Sequence, residues 1–173
     1  MAEKKAEKIL LGFGVVTVGT TPIGLTRGGS SFVVEREYRN IEADGDRGIV
    51  KGRTVIDTEN AKLTVNALEL FKATDLKKYY PGMSITPDNV ETPTKNTLTS
   101  TLTIVEGDYN DVKWVGKTKD GKAVTINIKD ALNLSNLEWG LEDKSEVVPS
   151  LEFAATYDEE TKDVAPWNVE FAV

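Results

Sequence analysis

Apolar and polar positions alternate with a period of two along most of this chain, the pattern of half-buried β-strands. In Phe32–Tyr38 the even positions carry the larger side chains, and the odd ones end in Glu35 and Glu37. From Ala61 to Leu68, Leu63, Val65 and Ala67 alternate with Lys62, Thr64 and Asn66. From Thr97 to Ile104 one side is Leu98, Ser100, Leu102 and Ile104, and the other is threonine throughout. Val112–Lys117 and Ala123–Ile128 flank Lys119-Asp120-Gly121-Lys122. An Asp-Gly pair between two such runs predicts a hairpin with a type I′ turn, which needs positive φ at both central residues. Near the end, Val147, Pro149, Leu151, Phe153, Ala155 and Tyr157 share a face. Pro149 has no N–H for a ladder, so this strand starts late or lies at an edge there.

Helical signals are confined to one place. Thr74 or Asp75 can cap, Leu76–Tyr80 gives one or two turns, and Pro81-Gly82 stops them. Gly28-Gly29 reads as a hairpin turn and Ala131–Asn136 as a short turn between strands. Gly82–Lys95, with Pro87 and Pro93 after Pro81, reads as a surface connection. With no internal repeat and no interdomain linker, residues 1–173 read as a single domain. Its expected class is mainly all-β, an antiparallel sandwich or rolled sheet with one short helix. Residues 1–11 read as a flexible N-terminal arm, being polar and terminal. Residues 39–53 read as a long loop between two strand patterns.

Composition then shortens the list of possible chemistries. The 173 residues include no cysteine and no histidine. Disulfides, thiolate nucleophiles and Cys-ligated zinc are therefore excluded. So are Ser-His-Asp and Cys-His mechanisms and metal sites built on imidazole. No stretch approaches the ~20 apolar residues of a spanning helix, and Ile9–Leu11 is too short for a secretory h-region. The expectation is a soluble protein made in the cytoplasm and touching no membrane. Residues 138–173 hold ten acids against two bases, while the other 137 residues hold 18 acids and 19 bases. A net charge of −7 argues against gripping phosphates as the main activity, and the acidic end reads as a solvated tail strand.

Each possible site meets a plainer reading. Counting a calcium loop from Asp44 puts Ile49 where glycine belongs and Val55 where the bidentate Glu belongs, so Asp44–Gly48 reads as a turn satisfied by its own Asp side chains. Gly12-x-Gly14 followed by Gly19 has the wrong spacing for a dinucleotide fingerprint and runs into strand rather than helix. Asp108 and Asp111 sit close together on one loop, whereas a glycosidase pair faces across a cleft. Trp114, Trp139 and Trp167 read as core or strand-edge packing, with Trp167 after Pro166 able to anchor a terminal arm. No catalytic residue, metal or cofactor is assigned. The loop from Arg39 to Arg53 mixes charges with three glycines at a length costly to order in a monomer, and makes better sense as an interface.

These segments, taken together, resemble a known family. Thr26–Phe32, Val34–Tyr38, Ile41–Gly48, Val50–Arg53, Leu63–Glu69, the later Glu152–Asp158 and the Pro166-Trp167 pair are similar to the tail tube (major tail) proteins of long-tailed phages and prophages of Gram-positive bacteria. The resemblance spans nearly the whole chain and rests on the order and spacing of the segments. It implies a non-enzymatic virion protein, assembled as stacked hexameric rings whose inward sheets join into one continuous β-barrel tube that passes double-stranded DNA. Tape measure and tail terminator proteins would be its partners. Arg39, Asp44, Asp46, Arg47, Lys51 and Arg53 are the expected ring-to-ring contacts. A conduit must not bind the phosphates it passes, so Glu35, Glu37, Thr97, Thr99, Thr101 and Thr103 are the expected channel lining. The competing reading is a monomeric ligand-binding β-barrel or sandwich module, with an acidic hydrolase behind it.

Overall fold

The alternating runs become strands in the computed structural model of the protein, which describes residues 8–173. In chain order these are β1 (Leu10–Val18), β2 (Thr21–Pro22), β3 (Thr26–Asn40), β4 (Thr54–Ala67), helix α1 (Ala73–Tyr79), β5 (Met83–Pro87), β6 (Asn96–Ser100), β7 (Asn110–Thr118), β8 (Ala123–Asn133), β9 (Ser150–Ala154) and β10 (Trp167–Phe171). One 3-10 turn, Glu106–Asp108, precedes β7. All strand pairs are antiparallel. The main sheet runs β2-β1-β7-β8-β9-β4-β3, with β10 on β8 and with β5-β6 as a separate two-stranded sheet.

Strand β8 carries the fold from one layer to the other. Its residues 124–128 lie between β7 and β10, while Leu132 and Asn133 pair with β9. The change occurs at Asp130, whose φ of 45° is rare outside glycine. Asp111 Oδ1 accepts the Asp130 N–H at 3.1 Å, and the Thr156 hydroxyl donates to the Asp130 carbonyl at 2.6 Å. The ladder between β7 and β8 shifts register beside this point, a bulge that bends the strand. Two layers result, β2-β1-β7-β8-β10 and β8-β9-β4-β3, and the core lies between them. Val16, Val18, Leu63, Val65, Val112, Trp114, Ile128, Leu151 and Phe153 are buried there, with Leu76 and Tyr79 of α1 closing one end.

Alternation located the faces correctly where packing enforces it. In β4 the residues Ala61, Leu63, Val65 and Ala67 are buried and the residues between them are half-exposed. In β9 Leu151 and Phe153 point inward, and the strand begins at Ser150, immediately after the proline that cannot pair. The helix lies as expected but starts at Ala73, with Lys72 at the N-cap and no side-chain cap bond. Thr74 and Asp75 fall inside its first turn, where the Asp75 carboxylate is favourable to the helix dipole.

Several local expectations are corrected. The 119–122 connection is a hairpin, but Gly121 is its single left-handed residue (φ 86°), so the turn is not type I′. Gly121 N–H bonds the Thr118 carbonyl at 2.9 Å, which is a type I turn closed by a glycine bulge. Gly28 and Gly29 do not turn the chain. They form a bulge inside β3, between the Thr26–Ala67 and Ser30–Val65 pairs, with φ of 88° and 82°. Ala131–Asn133 is strand, not turn, and Gly82–Lys95 contains β5. The alternating run 97–104 leaves the sheet after Ser100, because hydroxyls supply competing bonds. Thr101 Oγ1 donates to the Thr103 carbonyl, Ser100 Oγ accepts the Leu102 N–H, and Leu102 turns to φ 57°. The expected arm ends early: Leu10 and Leu11 already belong to β1, and residues 1–7 lie outside the described residues. Within one chain the sheet is open, with β2, β3 and β10 as edges, so closure into a continuous barrel is not a property of the single subunit.

Candidate functional site

Among the described residues, the oxygens of the clustered carboxylates hold backbone. Asp108 Oδ2 accepts from Val105 N–H at 2.9 Å and Gly82 N–H at 3.1 Å, tying the β5–β6 unit to the start of β7. Asp111 holds the β8 bend. Asp46 accepts the Ala43 N–H at 2.8 Å, the self-satisfied turn expected of that loop. Asp88 accepts four bonds from Asn89, Thr94 and Lys95, and those donors, the Thr94 hydroxyl first, pull its carboxyl down to about 2. Among the described residues no group of acids has the geometry of a metal site.

Three exposed surfaces stand out on the fold. First is the outer face of β3-β4-β9, which is polar. Glu35 and Glu37 project from it beside Asn60 and Thr58 of β4. Lys62 Nζ lies 3.2 Å from Glu35 and 3.8 Å from Glu152, so one base serves two carboxylates. Lys62 is held above its ordinary value by the Glu35 bond first and the Glu152 charge next. Glu37 accepts the Thr58 hydroxyl at 2.9 Å. The threonines lie elsewhere: Thr97 and Thr99 are exposed on β6 of the separate small sheet, and Thr101 and Thr103 follow in irregular backbone. The structure brings Glu35 and Glu37 together and does not join the four threonines to them.

Second is the β3–β4 hairpin, which extends well beyond the core. Both strands lose their buried residues toward its tip, since β3 is exposed or half-exposed throughout and β4 is buried only from Ala61 onward. Arg39, expected in the loop, stands at the end of β3 and donates to Asp57 Oδ2 at 2.9 Å. Arg53 donates to Asp46 at 2.7 Å across the base of the loop. Asp44, Arg47 and Lys51 are exposed and make no ion pair among the described residues. Three of the expected contacts, Arg39, Asp46 and Arg53, are thus engaged within the chain, and the isoleucines Ile41 and Ile49, which the charge pattern overshadowed, stand exposed beside them.

Third is an apolar cleft at the far end of β4, lined by Leu68, Phe71, Trp139, Leu141 and Val147. Trp139 and Phe71 meet edge to face with ring centroids 5.5 Å apart. Sequence reasoning missed this site because its residues are isolated apolar letters in two irregular segments, joined only by the fold.

These surfaces sit on a tail-tube-like β-sandwich, and comparison with solved structures agrees at the level of fold. A chain of the extended-state sheath–tube complex of an extracellular contractile injection system (PVC) superposes with a TM-score of 0.53 at 16% identity, covering 98% of this chain and 95% of that one. The cap that terminates the tube of the anti-feeding prophage is more distant, with a TM-score of 0.49 at 12% identity over 99% of this chain and 100% of its own. No protein-family model and no curated protein matches the sequence.

Proposed function

We propose that the protein is a structural subunit that self-associates into a hollow tube and carries out no chemical turnover. The observation that carries this reading is the whole-length likeness to a chain of a sheath–tube complex. Its support within the molecule is an open sheet whose edge strands β2, β3 and β10 are left for another copy to pair. Exposed edges are aggregation hazards in a monomer and are removed by closure in a ring. In this reading rings stack, six subunits to a ring, in the tail of a virion made in a bacterial cytoplasm. Tape measure and terminator proteins bound the tube, and double-stranded DNA passes through it. The β3–β4 hairpin, with Arg39, Asp44, Asp46, Arg47, Lys51 and Arg53, reaches the adjacent ring. Deleting Ala43–Gly48 is expected to leave a folded subunit whose sedimentation no longer rises with concentration; normal polymers from that variant would refute the hairpin's role.

The channel wall in this reading includes the polar face bearing Glu35 and Glu37, with Thr97, Thr99, Thr101 and Thr103 contributing from the small sheet. Carboxylates repel phosphate over a Debye length of about 8 Å at physiological salt. Assembled tubes of the Glu35→Lys/Glu37→Lys variant should retain short duplex DNA at low salt where the parent does not. Equal retention would remove these two residues from the wall. The ligand-binding alternative has less support, because the space between the sheets is filled by Trp114 and its neighbours.

A further inference from the structure

The hairpin tip and the apolar cleft occupy opposite ends of one strand. Strand β4 begins at Thr54, next to the tip, and ends at Ala67, next to Leu68 of the cleft. Fourteen residues at about 3.3 Å each place them roughly 45 Å apart. The tip presents apolar side chains to solvent: Ile49 is 77% exposed, and Ile41 is exposed beside it. The cleft is apolar and equally uncovered, with Leu141 78%, Phe71 49% and Trp139 41% exposed.

We propose that the tip of one copy, with Ile49 leading, seats in the Phe71–Trp139–Leu141 cleft of a second copy of this chain. The proposal rests on the tube reading above and names the surface that receives the hairpin. Charge favours this occupant. Exposed Glu138, Glu142, Asp143 and Lys144 lie in the segment that supplies Trp139 and Leu141, while Glu146, which lines the cleft, is taken by Arg27 at 2.6 Å. The descending limb of the hairpin loop carries Arg47 and Lys51, which have no acidic partner among the described residues of their own chain. Glu42 and Asp44 on the ascending limb find one base, Lys144. A projection and a receptor at opposite ends of one strand cannot meet within a single chain, so each must be satisfied by another copy. In the proposed arrangement they repeat head to tail, a heterologous contact that propagates from copy to copy, whereas an antiparallel exchange would stop at a dimer.

The absence of cysteine makes the test clean. An Ile49→Cys/Leu141→Cys variant, assembled at high concentration and treated with a short bis-maleimide, should give a ladder of covalent multimers on a denaturing gel. The single variants should give nothing above dimer. Filaments that form but yield no ladder would overturn the socket while leaving the tube reading intact; a chain that stays monomeric under every condition would overturn both. A second arm does not depend on the cysteines. Arg47→Glu/Lys51→Glu should raise the concentration needed for assembly at least tenfold, and Glu142→Lys/Asp143→Lys in the same chain should recover part of it. An unchanged threshold in the first variant would also overturn the proposal.

Discussion

The ring of Trp114 occupies the space that side chains on two neighbouring strands would need. A Cβ added at Gly116 would lie 2.1 Å from its Cη2, and one added at Gly14 would lie 2.5 Å from its Cε2. Gly14 and Gly116 face each other across β1 and β7, and Trp114 faces Val16 one step along the same face. The indole can lie over the glycine pair only because neither has a side chain. Gly116→Ala should therefore cost about 1–3 kcal/mol through overpacking. Gly12→Ala, with nothing within 4 Å of the new atom, should stay within about 0.5 kcal/mol. Urea midpoints of the two variants measure this; equal midpoints would mean that the ring simply moves aside. The sequence showed Gly14 in one strand, and Trp114 with Gly116 in another a hundred residues later. Their meeting is a matter of register between β1 and β7, which alternation within one strand does not encode.

At the scale of elements, β10 is fastened to the opposite layer by a single carboxylate. Trp167 Nε1 donates to Glu59 Oε1 at 2.7 Å, and Arg36 Nε donates to Oε2 of the same group at 2.5 Å. The Trp167 ring also packs 5.7 Å from Phe32, and the Tyr157 hydroxyl donates to the Glu59 carbonyl at 3.1 Å. This gives physical form to the terminal anchor expected from Pro166-Trp167, although the strand that follows it was not foreseen. The Trp167 bond first, and the Arg36 bond next, hold the Glu59 carboxyl below its ordinary value of 4.5. A carboxyl with a lowered folded-state pKa contributes stability that is present above its unfolded value and lost as pH falls through the lowered one. The difference in melting temperature between wild type and Glu59→Gln should be largest near neutral pH and vanish below pH 4.5 as the clasp protonates. A difference that persists unchanged into acid would assign the effect to packing instead. The elements read correctly were those with an enforced buried face, such as β4, β7 and the first part of β8. Those missed, β5 and β10, are only five residues long, and in the run after Ser100 side-chain hydroxyls compete with the ladder.

For the whole molecule, strand content and antiparallel class were legible, whereas layer order was not. The crossing of β8 between layers depends on a left-handed Asp130 and on bonds from Asp111 and Thr156, none of which leaves a periodic trace. The assembly surfaces were legible in part. The mixed charges of the 39–53 segment pointed to the hairpin, but two of its arginines are already paired within the chain, and the apolar tip and cleft emerge only in three dimensions. What unites these features is an open sheet with unpaired edges, which the proposed tube would close. The most direct measurement is electron microscopy of the concentrated, purified protein. It should show filaments of uniform width with an axial channel; a field of separate globular particles at every concentration and salt would contradict tube building.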